Sequence, residues 1–253
     1  MTLPLVEVQS MMLAAVRILA FLFLAPPFSH GSVPAGVKVA LSLGLALAVA
    51  PRLPSPISDR GLVTGEFIGE LALQALIGAA LGFLVYLVFA ALQSAGNLID
   101  LFGGFQIAQA FDPMSQTSSA QFGRLYQFLA VVLLFASNGY QLVLTGLVRT
   151  FDLLPLGKSL DLATYSHLAT SGLTQMVVAA VQIAGPLLVV LFLADVGLGL
   201  LTRVAPALNA FAMGFPLKIL LTLSFGSLAM LALPQVLATL TGSAVKALLG
   251  GAR

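Results

Sequence analysis

The chain has 253 residues, with no cysteine, no tryptophan, and charged side chains at only 8% of positions. Each shortage excludes something. Without cysteine there is no disulfide framework, no thiolate nucleophile and no thiolate metal site, and the redox compartment stays open. Without tryptophan, half of the usual interfacial aromatic belt is missing. A soluble globular protein carries about 25% charged residues, so this chain cannot cover its own surface with solvated groups. A net charge of +2 offers no basic stripe, and nucleic acid is not expected as a partner. His30 and His167 each stand alone in what reads as a polar loop. No second ligand lies at metal spacing, so no metal or other cofactor is expected. Gly-x-Ser-x-Gly, a phosphate-binding loop and His-Glu-x-x-His are all absent, and the chain does not read as an enzyme.

What is present is apolar: 59% hydrophobic residues and a mean hydropathy of +1.07. Six apolar stretches stand out, at roughly 10–26, 35–50, 67–95, 122–148, 173–203 and 217–241. They are too long for strands and lack period-2 alternation, which predicts an all-α, membrane-associated fold. Breakers separate them: Pro26 and Pro27 after the first, Pro51 to Pro56 after the second, Pro206 and Pro216 before the last. Pro186 and Pro234 should kink the last two. A bilayer span needs about 20 apolar residues. The runs Met11–Ala25 and Ala35–Ala50 are short for that, and each carries a charge, Arg17 and Lys38. Residues 1–9 hold no Lys or Arg and do not read as a cleavable signal. A six-span arrangement would gather the loops at 52–60 and 149–158 and the C-terminus on one, cytoplasmic, face. Gly78-x-x-x-Gly82 would let a second helix approach closely.

The few polar residues inside these runs are the candidate sites. Arg17 and Lys38 either snorkel to an interface or face protein. Glu66, Glu70 and Gln74 share one helix face, near an N-terminus whose dipole favours acidic groups; a contact with a cation, or a paired-carboxylate site, are the other readings. The 96–116 stretch reads as a loop, with Gly103–Gly104 as a helix breaker, Asp112–Pro113 as a turn, and Phe102, Phe105, Ile107 and Phe111 close together. Such a segment packs into a core or seals a pore, and Ser115–Gln121 reads as its connector. Between Asp195 and Lys218 lie Arg203, Pro206, Asn209 and Pro216. Asp195 and Arg203 are about 12 Å apart along one helix, too far to pair directly, and the prolines could return Lys218 to either. A partnered ion cluster and a proton relay are both open, as is a small-solute transporter binding at Asp195 and the Pro206 break.

Several motifs occur in a fixed order. They are Arg17…Phe21…Ala25-Pro-Pro-Phe28…Val33-Pro-Ala-Gly-Val-Lys38, Glu70…Ile77-Gly78, Ala95-Gly96…Ile99-Asp100, Asp112-Pro113, Ser137-Asn-Gly-Tyr140, Phe151…Pro155 and Asp195…Lys218. Together they resemble the FliR/SctT family of export-gate subunits of bacterial type III secretion. Tyr140 stands where that family favours His, and Ile107 where some members have Phe.

The resemblance implies one export-gate subunit over residues 1–253, in the bacterial inner membrane at the flagellar basal body. Its implied partners are FliP-like, FliQ-like and FlhB-like subunits, unfolded export substrates and membrane lipid. An injectisome subunit of the same family is the alternative. It further implies a non-conventional topology with helical mass outside the bilayer. Gly104, Phe105, Ile107, Ala108, Phe111, Asp112 and Pro113 would form the pore plug. Arg17, Lys38, Glu66, Glu70, Asp100, Asp195, Arg203, Asn209 and Lys218 would make structural or intersubunit polar contacts.

Overall fold

A computed structural model of the chain describes residues 5–26, 28–29, 31, 33–53, 62–105, 121–157, 162–205 and 210–250. Among them every regular element is helical. In order these are α1 (Leu5–Leu24), α2 (Ala35–Val49) with a 3-10 turn (Ala50–Arg52), α3 (Thr64–Phe102), α4 (Gln121–Ala136), α5 (Gly139–Leu153), α6 (Leu162–Val204) and α7 (Ala210–Gly250).

Several boundaries differ from the sequence reading, each for a physical reason. α1 takes in the polar residues before Met11 and reaches 20 residues, a full bilayer span rather than a short run. The fourth apolar stretch is two helices bent by 77°. The bend falls at Asn138, whose backbone is left-handed (φ 56°), a conformation asparagine tolerates better than most residues. Residues 96–102, expected in a loop, continue α3, which ends only at Gly103–Gly104, where Gly104 has φ +83°. His167 and Arg149, expected in loops, lie within α6 and α5. Pro216 does not break the chain but sits inside α7, as does Pro234, while Pro186 sits inside α6. In apolar surroundings neighbouring helices can satisfy the carbonyl that a proline frees, so a helix runs on through it.

α3, α6 and α7 contain 39, 43 and 41 residues. At ~1.5 Å per residue each has ~60 Å of contour, about twice the thickness of a hydrocarbon core. Among the described residues four helices are long and apolar enough to cross a membrane, or five if the bent pair α4–α5 counts as one span.

The chain forms two compact units. The first comprises Met1–Val88, Leu134–Leu173 and Thr239–Arg253. Its core repeats at helical spacing along α1, where Ala14, Ile18, Phe21 and Ala25 are buried. It continues through Ile77 and Leu81 of α3, Val143, Leu147 and Phe151 of α5 and Leu248 of α7. α1 packs on α2. Gln9 ties α1 to the approach of α3 by two reciprocal hydrogen bonds with the Leu62 backbone, 3.0 and 3.2 Å. The Gly78-x-x-x-Gly82 pair lies against α1: a Cβ on Gly78 would collide with the Arg17 carbonyl, and one on Gly82 would lie 2.9 Å from the Phe21 carbonyl.

The second unit comprises Phe89–Leu133 and Thr174–Ala238. Leu92, Ala95 and Ile99 of α3, Tyr126 and Ala130 of α4, Leu191 of α6 and Leu237 of α7 are buried in it. Large apolar side chains also point outward on both units, among them Leu47, Ile68, Phe192, Leu200 and Leu231. Their number exceeds what a water-facing surface tolerates, so lipid or other chains cover them.

Gly78→Ala tests the close approach. Alanine gains about 1 kcal/mol of helix propensity over glycine, but overpacking against a backbone carbonyl costs about 1–3 kcal/mol. We expect a lower thermal unfolding midpoint in detergent for Gly78→Ala. A raised midpoint would show that α1 and α3 are not in contact there.

Candidate functional site

Ionisable groups in so apolar a chain need partners, and the partners define the sites. Arg17, on α1, is fully buried. Its Nε donates to Gln74 Oε1 at 2.7 Å, and its Nη1 donates to the Leu154 carbonyl at 3.0 Å. The guanidinium lies over the Phe151 ring, 4.3 Å from Cζ to the centroid, a stacked cation–π geometry. Leu154 caps the C-terminus of α5, so its carbonyl belongs to the negative end of a helix, where a cation is favoured. Gln74 Nε2 donates in turn to Glu70 Oε2 at 3.4 Å. The Glu70–Gln74 side of the acidic stripe therefore turns toward Arg17, while Glu66 in the first turn of α3 is exposed.

Lys38 is buried on α2, with Nζ 4.9 Å from the Phe23 ring centroid. Arg17 and Lys38 thus both face protein.

In the second unit Lys218 Nζ lies 2.7 Å from Asp195 Oδ1, joining α7 to α6. The pair is partly exposed, at 22% and 48% of the side-chain surface. Arg203 is exposed in the last turn of α6, where the helix dipole favours it. Pro206 and Asn209 lie outside the described residues.

Asp100 is fully buried near the end of α3. Its Oδ1 accepts from the Phe122 N–H at 3.1 Å and its Oδ2 from the Gly123 N–H at 3.0 Å. These are orphan donors of the first turn of α4, and the carboxylate caps them from another helix. Gly96 admits this approach: a Cβ there would lie 2.5 Å from the Phe122 carbonyl. Gln121, expected in a connector, starts α4 because of this distant cap.

Of the expected plug residues, Gly104 and Phe105 are described. The Phe105 ring meets Phe122 edge-on, with centroids 5.4 Å apart, and a Cβ on Gly104 would face the Phe215 ring at 3.4 Å. Ile107, Ala108, Phe111, Asp112 and Pro113 lie outside the described residues, as does Pro27. Pro26 lies two residues beyond the last residue of α1. No cluster of three or more histidine, aspartate or glutamate residues at metal distance occurs among the described residues.

Residues 8–244 match the family described as bacterial export proteins, family 1. That covers nearly the whole chain. It belongs to this family, the FliR/SctT export proteins. The flagellar biosynthetic protein FliR of Escherichia coli K12 is 35% identical over 223 residues, 88% of this chain and 83% of the relative. FliR of Bacillus subtilis 168 is 31% identical over 82% of this chain and 81% of its own length. The secretion system apparatus protein SsaT of Salmonella typhimurium LT2 is 29% identical over 83% and 82%. Arg17, Asp100, Phe151, Asp195 and Lys218, which carried the resemblance to the FliR/SctT family, are residues at which the structure joins one helix to another.

Phe122 and the Leu154 carbonyl were not among the expected site residues. Phe151 appeared only inside a motif, with no role attached.

Arg17→Ala strands Gln74 Oε1 and the Leu154 carbonyl, each at about 1–3 kcal/mol. Arg17→Lys keeps the charge but cannot fork to both acceptors or stack as guanidinium does. Thermal unfolding should rank the parent above Arg17→Lys, and that variant above Arg17→Ala. An unchanged midpoint for Arg17→Ala would contradict the anchor.

Proposed function

We propose that this FliR/SctT family protein is a core subunit of the flagellar type III export gate. It would lie in the bacterial inner membrane at the flagellar basal body. There it works with FliP-like and FliQ-like subunits, and an FlhB-like one, to form a gated channel for unfolded flagellar proteins. The observation that carries this reading is the 35% identity to a flagellar relative over most of both chains. The outward-facing apolar side chains support it, since they need cover from lipid or other subunits. The three helices with twice a bilayer's length support helical mass outside the membrane.

The similarity to a secretion system apparatus protein favours one second reading, an injectisome gate. A small-solute transporter finds less support, because the Asp195 it would use is already paired with Lys218.

Deleting the gene in its own host should abolish motility and the appearance of flagellar proteins outside the cell, with both restored by the gene in trans. Normal motility together with lost secretion of virulence proteins would move the assignment to the injectisome. For the plug, replacing Phe105, Ile107 and Phe111 together with alanine should make cells carrying the assembled gate leak ions. Unchanged membrane permeability in those cells would remove these residues from the seal.

A further inference from the structure

We propose that the buried Asp100 carboxylate is a positioning residue for Phe105. It fixes the first turn of α4 so that the Phe122 ring stands where Phe105 rests against it. The proposal deepens the export-gate reading and rests on it only for the consequence to permeability.

Two oxygens of one carboxylate hold two successive backbone donors, Phe122 N–H and Gly123 N–H. Both bonds are charge-assisted, and both act at the positive end of α4. Asp100 is fully buried, so no water competes for those oxygens. The first residue held this way, Phe122, is also the one whose ring meets Phe105 at 5.4 Å. Around the pair there is no slack. Gly96 lies against the Phe122 backbone, Gly226 of α7 faces the Phe122 ring with a Cβ position 3.2 Å away, and Gly103 faces both Thr222 and Phe105. A small shift of the α4 start therefore cannot be absorbed by side-chain repacking and passes to the aromatic contact. Phe105 follows Gly104, whose φ of +83° already commits the chain direction there. Its ring position is consequently set by Phe122, and that of Phe122 by Asp100.

Asp100→Asn removes the charge and turns one acceptor into a donor facing an N–H, at nearly constant volume. The chain has no cysteine, so Gln106→Cys, beside Phe105 and leaving its ring intact, gives this chain a single thiol whose reaction rate with a membrane-permeant maleimide in the assembled gate reports how firmly Phe105 is seated. We expect the rate to rise roughly tenfold when Asp100→Asn is added, the shift that follows from losing one charge-assisted bond. Asp100→Glu, which keeps the charge, should recover part of the difference. Phe122→Leu leaves both backbone donors in place and removes only the ring, so it should raise the rate as well, even if Asp100→Asn fails to assemble.

A maleimide rate unchanged by both Asp100→Asn and Phe122→Leu would overturn the proposal. So would a rate that Asp100→Glu leaves as high as Asp100→Asn does. A raised rate with unchanged ion permeability would keep the positioning role and count instead against Phe105 as part of the seal.

Discussion

A charge inside an apolar helical protein has to be met by protein groups, because water is not there to solvate it. In this chain two of the buried charges are met by the ends of helices. Arg17 sits at the carbonyl end of α5 through Leu154, and Asp100 sits at the amide end of α4 through Phe122 and Gly123. Each contact satisfies backbone groups that a helix terminus leaves open, and each complements the sign of the helix dipole. α4 and α5 are the two halves of the bent pair, so the outer end of each half is fixed by one charge. Close glycine approaches sharpen both arrangements, Gly78 against the Arg17 carbonyl and Gly96 against the Phe122 carbonyl. Packing and polar satisfaction therefore act at the same places.

The same logic limits where the chain can differ. Leucine for leucine-sized exchanges on the outer faces change little within one chain, since those side chains are exposed in it. Exchanges at Arg17, Gln74 or Asp100 strand the buried groups that these side chains now satisfy. A protein with so few charges has few such points, and the family's ordered motifs run through them. The salt bridge between Asp195 and Lys218 is the exception in kind, an ion pair joining two helices directly, and it is partly exposed.

The helices were legible because apolar runs bounded by proline and glycine have few other ways to satisfy their backbone. Their ends were less so. Residues 96–102 read as a loop from Gly96 and Asn97, yet Gly96 serves the approach of α4 and the helix continues to Gly103. Pro216 read as a break, although neighbouring helices allow α7 to run through it. Arg17, Asp100, Asp195 and Lys218 were visible as expensive residues, but their partners were not. Arg17 bonds to residues 57 and 137 positions away, and no local pattern encodes such a distance. The neutral members, Gln74, Phe122 and the Leu154 carbonyl, carry no charge to betray them. Gln74 alone gave a signal, as the next turn of the Glu66–Glu70 face.

The central claim is that this chain completes its surface with other subunits of an export gate. Native mass spectrometry of the complex extracted in mild detergent from its own host tests that most directly. The account predicts one large hetero-oligomer holding this chain with FliP-like and FliQ-like hydrophobic subunits. A monomer, or an assembly of this chain with itself alone, would contradict it.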